Sequence, residues 1–243
     1  MIYNHEHLAG KTTIDAEICV IGSGAGGGPV AYTAAKAGRR VVVIEAGSFL
    51  RPREMTQLEN EMFPQLYHDK GGRTTTDQAV HVHQGKGVGG STLHNLNLCE
   101  RVPDGVLAHW AELGGGPTLQ KSALDALYHE AETLLSVTQM GEIDLNPNNR
   151  MFRDGVVKLG YRGSFLRHNR KGCAASGFCE LGCPFDAKQN SLKVFIAPAV
   201  REGLMVLCDT WALRATRSGR RLTTLEAIVR HPVSGAPIGE VRV

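Results

Sequence analysis

Ala16-Glu17-Ile18-Cys19-Val20-Ile21 runs straight into Gly22-Ser23-Gly24-Ala25-Gly26-Gly27, and Val30-Ala31-Tyr32-Thr33-Ala34-Ala35-Lys36-Ala37 follows. The first run is short, apolar and rich in β-branched residues, which predicts a buried strand. The last predicts a helix, with Gly38 at its C-terminal end. Arg40-Val41-Val42-Val43-Ile44 reads as a second buried strand, ending at Glu45. Strand, glycine turn, helix, strand and acid make one βαβ unit over residues 14–47. Its fingerprint is Gly22-x-Gly24-x-x-Gly27. Gly22 permits the tight turn, Gly24 lets backbone approach a pyrophosphate, and Gly27 lets helix and strand pack closely. The helix start offers free N–H groups and a positive dipole end to phosphate. Glu45 suits the hydroxyls of a ribose and disfavours a 2′-phosphate, so NAD and FAD fit this unit better than NADP.

Working outward, the 243 residues carry 27 Lys+Arg, 24 Asp+Glu and a net charge of +3. With 42% hydrophobic residues the composition is that of a globular chain, and disorder is excluded. No apolar run reaches the roughly 18 residues of a membrane span. Met1 to Lys11 is polar, without an apolar signal core, and a cytoplasmic location is the expectation. The longest basic blocks are the pairs Arg39-Arg40 and Arg220-Arg221, too small to argue for a nucleic-acid partner. Glycine is 29 of 243 residues, above the usual level of about 7%. The glycines cluster, which points to turns and to backbone pressed against a ligand.

The second cluster follows Ala79-Val80-His81-Val82-His83-Gln84, which alternates like a strand. It reads Gly85-Lys86-Gly87-Val88-Gly89-Gly90-Ser91-Thr92-Leu93-His94-Asn95-Leu96-Asn97. A fingerprint followed after some forty residues by Gly89-Gly90-Ser91-Thr92-x-x-Asn95 resembles the glucose–methanol–choline (GMC) family of FAD-dependent oxidoreductases. The resemblance runs from about Ile14 to the end of the chain. It implies an α/β fold with a Rossmann-like FAD-binding domain, incomplete here, with added helices and a small β-hairpin. It also implies hydride transfer from an alcohol (a sugar, sterol or long-chain alcohol) to flavin. Gly22, Ser23, Gly24 and Gly27 would hold the pyrophosphate and Glu45 the adenosine ribose. Gly85, Gly89, Gly90, Ser91 and Asn95 would line the phosphates and the ring, with Leu96 and Asn97 adding backbone. Ala212 would meet the adenine. His94 falls where some members attach flavin covalently; the simpler reading is a hydrogen-bonding or core histidine. The second motif favours FAD over an NAD-dependent dehydrogenase.

Cys173-Ala-Ala-Ser-Gly-Phe-Cys179-Glu-Leu-Gly-Cys183-Pro184 is the third landmark. Three thiolates in one glycine-containing loop suit an iron–sulfur cluster. Some bacterial sugar dehydrogenases of the family hold a three-iron cluster at similar spacing. Zinc would need a fourth ligand, and His168 is nearest. Members with a similar loop followed by Ala187-Lys188-Gln189 resemble long-chain-alcohol and sterol oxidases, where the cysteines are structural. All three readings stay open at this point. His81 and His83 share a strand face but lack a third ligand. Cys19, Cys99 and Cys208 read as buried packing residues.

Elsewhere the periodicity predicts a helix over 122–136 with Ser122 as N-cap, a second around Phe152–Leu159 ending at Gly160, and a short packing stripe at Met55, Leu58 and Met62. The segments serve as a flavin-contacting stretch (79–101), a helical insertion (118–160) and a cysteine-rich loop (173–188). Strands are expected over 204–207, 222–229 and 238–243, the last leaving an open sheet edge at Val243. The family's catalytic histidine pair has no counterpart among the ten histidines, so no catalytic residue is assigned. The expectation is an N-terminal portion of a longer enzyme, whose partners are an alcohol, an electron-acceptor protein or the missing C-terminal half. A non-catalytic nucleotide-binding fragment, or one half of a split enzyme, is the alternative.

Overall fold

The structure is a computed structural model and describes residues 1–243. The chain divides into two compact units, Met1–Leu96 with Cys173–Val243, and Asn97–Gly172.

The larger unit is built on two four-stranded sheets. The first contains β1 (Ile2–Tyr3), β3 (Ile18–Ile21), β4 (Val41–Ile44) and β7 (Met205–Leu207), in the order β1-β7-β4-β3. Every pairing is parallel, with Ile18 opposite Val41 and Ile44 opposite Leu207. Val41–Ile44 is buried at all four positions, as expected of a parallel strand covered on both faces. Burying each such side chain contributes roughly 1.5–3 kcal/mol. Helix α1 (Gly27–Lys36) crosses between β3 and β4 and sets Ala31 and Ala35 into a cluster with Val20, Val43, Val206 and Ile196. The βαβ unit therefore forms where the apolar runs and glycines place it.

The second sheet has the order β2-β10-β9-β8, from β2 (Gly10–Thr13), β8 (Thr210–Ser218), β9 (Arg221–Arg230) and β10 (Pro237–Arg242). Leu225, Ala227, Val229 and Val241 pack with Leu8, Val42, Ile44 and Leu207 of the first sheet's side. This corrects one expectation. β10 is an interior strand, antiparallel to β9 and parallel to β2, so Val243 leaves no open edge. Gly10-Lys11-Thr12-Thr13 carries too little apolar periodicity to announce the strand that covers it.

Helix α2 (Glu59–Leu66) buries Met62 and Leu66. Met55 joins their cluster, but Leu58 is 51% exposed and lies outside it. Ala79–Gln84 is not a strand; it makes only an isolated bridge between Thr74 and His81. The segment before β7 is helical, a π turn over Leu192–Ile196 continuing into α6 (Ala197–Arg201).

The smaller unit holds α3 (Asp104–Glu112), α4 (Lys121–Leu134) and α5 (Pro147–Lys158), with β5 (Val137–Gln139) antiparallel to β6 (Arg167–Asn169). Gln120, without a side-chain cap, starts α4 in place of Ser122. Asn146 caps α5 by accepting from the Asn149 N–H. Glu132 accepts from Arg101 and Arg167, and those bonds hold its carboxyl far below the usual range. No helix is long and apolar enough to cross a membrane.

Candidate functional site

The two glycine-rich stretches meet in the larger unit. A Cβ on Gly90 would lie 2.7 Å from the Gly24 Cα, and one on Gly24 would lie 3.6 Å from the Gly90 Cα. Gly90 has φ +55 and Gly89 φ +116, conformations that side chains rarely adopt. At Gly27 a Cβ would sit 1.9 Å from the Gly22 carbonyl oxygen, so that glycine is required by helix-to-strand packing. Gly28, not singled out in the sequence, is closely enclosed too: its Cβ would meet the Ser191 Oγ at 2.0 Å, so a side chain there would displace that hydroxyl.

Glu45 ties the stretches together. Its buried carboxylate accepts from the Ser23 N–H (3.0 Å) and Ser23 hydroxyl (2.6 Å) on one oxygen. The other oxygen accepts from the N–H groups of Gly47 (3.0 Å) and Gly87 (3.2 Å). The Ser23 hydroxyl in turn accepts from the Gly89 N–H at 2.9 Å. Four internal donors match the number of lone-pair sites on a carboxylate. Glu45 thus works as a clamp between the turns as well as lying at the strand end where a ribose is expected. Ser191 adds a second tie, donating to the carbonyls of Ser23 (2.8 Å) and Gly24 (3.2 Å).

The donor set fits a dinucleotide diphosphate. The amides of Gly24, Ala25 and Gly26 donate to no acceptor in the chain, and α1 has neither a side-chain cap nor an acid in its first turn. A Cβ on Gly26 would project into open space. These are the unengaged N–H groups and dipole end that an anion takes. Beyond Glu45, a cleft of about 320 Å³ is lined in part by Ala46, Gly47, Lys86, Asp209, Trp211 and Arg230. The Thr210 N–H donates to the Glu45 carbonyl at 2.9 Å, which brings the start of β8, and Ala212 two residues on, beside this end. Ala212 itself is partly buried against the apolar cluster between the sheets.

At the other end, Gly85 donates its N–H to the Ser91 hydroxyl at 2.8 Å, and the Asn95 N–H reaches the Ser91 carbonyl at 3.0 Å. Asn95 and Leu96 are exposed, whereas His94 is buried. The His94 ring lies 3.9 Å, centroid to centroid, from Tyr67, and its Nε2 is buried without a partner. Burial, helped by the Lys188 ammonium, lowers its pKa to about 4, so the imidazole is neutral. Asn97 is buried with φ +53 and belongs to the smaller unit. Lys188, Ser191 and Tyr67 were missed as site residues. Lys188 stood out only as part of Ala187-Lys188-Gln189, and the other two carry no local signature.

The cysteine loop corrects the metal reading. No group of three or more His, Cys, Asp or Glu side chains able to hold a metal ion forms, so Cys173, Cys179 and Cys183 do not assemble into a cluster site, with or without His168. The reason is local. Cys173 is exposed, while the rest of the loop is pinned by other contacts: Tyr67 OH donates to the Glu180 carbonyl (2.7 Å), the Cys183 N–H meets Met55 Sδ (3.0 Å), and the Lys188 ammonium donates to the Cys179 carbonyl (2.8 Å). No disulfide joins any of the six cysteines. Cys208 is a packing residue, its thiol pushed up by burial, but Cys19 and Cys99 are only partly buried. His81 and His83 are exposed and bind nothing together.

Comparison with known proteins decides the family. The model described as GMC oxidoreductase matches residues 63–233. The chain belongs to the GMC oxidoreductase family. It is 29% identical to long-chain-alcohol oxidase FAO3 of Arabidopsis thaliana over 201 residues, covering 83% of this chain and 27% of that protein. It is 31% identical to long-chain-alcohol oxidase FAO4B of the same plant over 205 residues, again 83% and 27%. The chain thus spans little more than a quarter of these relatives. Among solved structures, pyridoxine 4-oxidase from Mesorbium loti superposes with a TM-score of 0.65 at 16% identity, covering 94% of this chain and 48% of that one. That likeness confirms the Rossmann-like fold of the family's FAD-binding part.

Proposed function

We propose that this chain supplies the FAD-binding part of an enzyme that oxidises an alcohol, with a long-chain alcohol as the substrate class favoured by its relatives' names. The observation that carries the reading is the junction of two glycine stretches, Gly24 against Gly90, with unengaged amides beside it. When bound, FAD supplies the acceptor for the hydride taken from the alcohol carbon. The protein's own work is to bind and orient. Gly24, Ala25 and Gly26 would hold the diphosphate, Glu45 and Ser23 keep the two turns in register, and Ser91 to Leu96 present backbone to the ring. The neutral His94 packs beneath that segment. A flavin-binding half of a two-part enzyme is the second reading.

A visible absorption spectrum tests this. The chain purified with excess FAD and desalted should keep a flavin double band near one flavin per chain, without the broad absorption of an iron–sulfur cluster. A colourless protein after desalting overturns the flavin reading.

A further inference from the structure

Lys188 is 2% exposed, yet its ammonium is bonded to main-chain carbonyls and not to a carboxylate. Its ammonium donates to three main-chain carbonyls: Leu93 (3.1 Å), Asn95 (2.5 Å) and Cys179 (2.8 Å). A buried charge whose only hydrogen-bond partners are carbonyl dipoles is costly, since no paired carboxylate offsets its lost hydration. Burial draws its pKa down to about 8, opposed by the nearby Cys179, Cys183 and Glu180, so it remains charged at neutral pH. An apolar side chain of similar length would fill the same space without that cost.

The placement shows what the charge acts on. A carbonyl that accepts from a cation polarises its whole peptide, and the N–H at the far end becomes a stronger donor. The Leu93 carbonyl shares its peptide with the His94 N–H, which is already directed at the Ser91 carbonyl (3.3 Å). The Asn95 carbonyl shares its peptide with the Leu96 N–H. That N–H meets no acceptor in the chain, and Asn95 and Leu96 are both exposed. One end of this peptide therefore holds a buried cation, and the other end is open.

We propose that Lys188 is a positioning residue that charges the Asn95–Leu96 peptide, making the Leu96 N–H a strengthened donor to the flavin and raising the flavin's potential. This rests on the flavin reading above. Taking up a hydride adds one negative charge to the flavin, so a donor of this kind binds the reduced form more tightly than the oxidised form. A lysine that merely tied the cysteine loop to residues 93–95 would affect stability and leave the potential alone.

The test equilibrates the FAD-loaded chain with reference dyes in four forms: wild type, Lys188→Met, Lys188→Arg and Leu96→Pro. Lys188→Met should shift the equilibrium at least tenfold toward oxidised flavin, about 30 mV for a two-electron couple. Lys188→Arg keeps the cation and should stay within twofold of wild type. Leu96→Pro removes the N–H, at an exposed position, while also fixing φ at 96 and restraining Asn95, and should reproduce the Lys188→Met shift. A folded, flavin-loaded Lys188→Met with the wild-type potential overturns the proposal. If circular dichroism shows that Lys188→Met does not fold, Leu96→Pro decides, and an unchanged potential there overturns it equally. A wild-type chain that takes up no flavin is a different failure: it removes the underlying flavin reading, and this role with it.

Discussion

The glycine turns and the cysteine loop make opposite kinds of site. At Gly22–Gly27 and Gly85–Gly90 the informative feature is the missing side chain, and what it permits is contact between backbones: Gly27 against the Gly22 carbonyl, Gly90 against Gly24. At Cys173–Cys183 the informative feature is three side chains that would have to converge. The turns form as their spacing predicts; the thiols are not gathered. A steric requirement is local and survives any surroundings. A ligand set depends on how the surroundings hold its loop, and here Lys188, Tyr67 and Met55 bond to the loop's main chain.

Substitutions can break this contrast. The largest effect belongs to Gly27→Ala. Its Cβ would sit 1.9 Å from a backbone oxygen that cannot swing aside, and thermal denaturation should show a loss of about 3–5 kcal/mol. Gly26→Ala is the matched control. Gly26 has φ −85 with nothing within 4 Å of the added Cβ, so the stability of the flavin-free chain should change by less than about 0.5 kcal/mol.

Next in size is a pH effect at His94. Its pKa falls from 6.5 to about 4 on folding, so the unfolded chain binds more protons between those values. This contribution to stability is complete above pH 6.5 and is lost as pH falls toward 4, up to about 3 kcal/mol. Denaturant melts of His94→Gln should be flatter across that window than those of wild type; parallel curves would show that another group governs it.

Glu45→Gln should cost about 2 kcal/mol, because an amide NH2 would face an N–H donor that now meets a carboxylate oxygen. FAD affinity should fall with it if the clamp keeps the two turns in register. The smallest effect is expected at the cysteines. Cys173→Ser, at an exposed position, should change stability by less than about 0.5 kcal/mol, and iron and acid-labile sulfide should be absent from wild type and variant alike. Stoichiometric iron in anaerobically purified protein would reverse the reading of the loop.

Much of the fold was legible because it is carried by short apolar runs. β3, α1 and β4 follow from Ile18–Ile44 alone, and β9 and β10 from their alternating residues. β2 was not, since Gly10–Thr13 is polar and becomes a strand only by pairing with β10. Residues 79–84 alternate like a strand but pair with the preceding chain only at the single bridge between Thr74 and His81. In the site, the glycines and Glu45 could be named from spacing. Lys188 and Ser191 could not, because their roles arise from contacts with residues about 95 and 168 positions away.

The most direct test of the central claim is the amide NMR spectrum of the labelled chain during titration with FAD. The resonances of Gly24 to Gly27 and of Gly85 to Leu96 should move together, with one shared dissociation constant. Movement of one stretch without the other, or of neither, would contradict a single flavin nucleotide held between them.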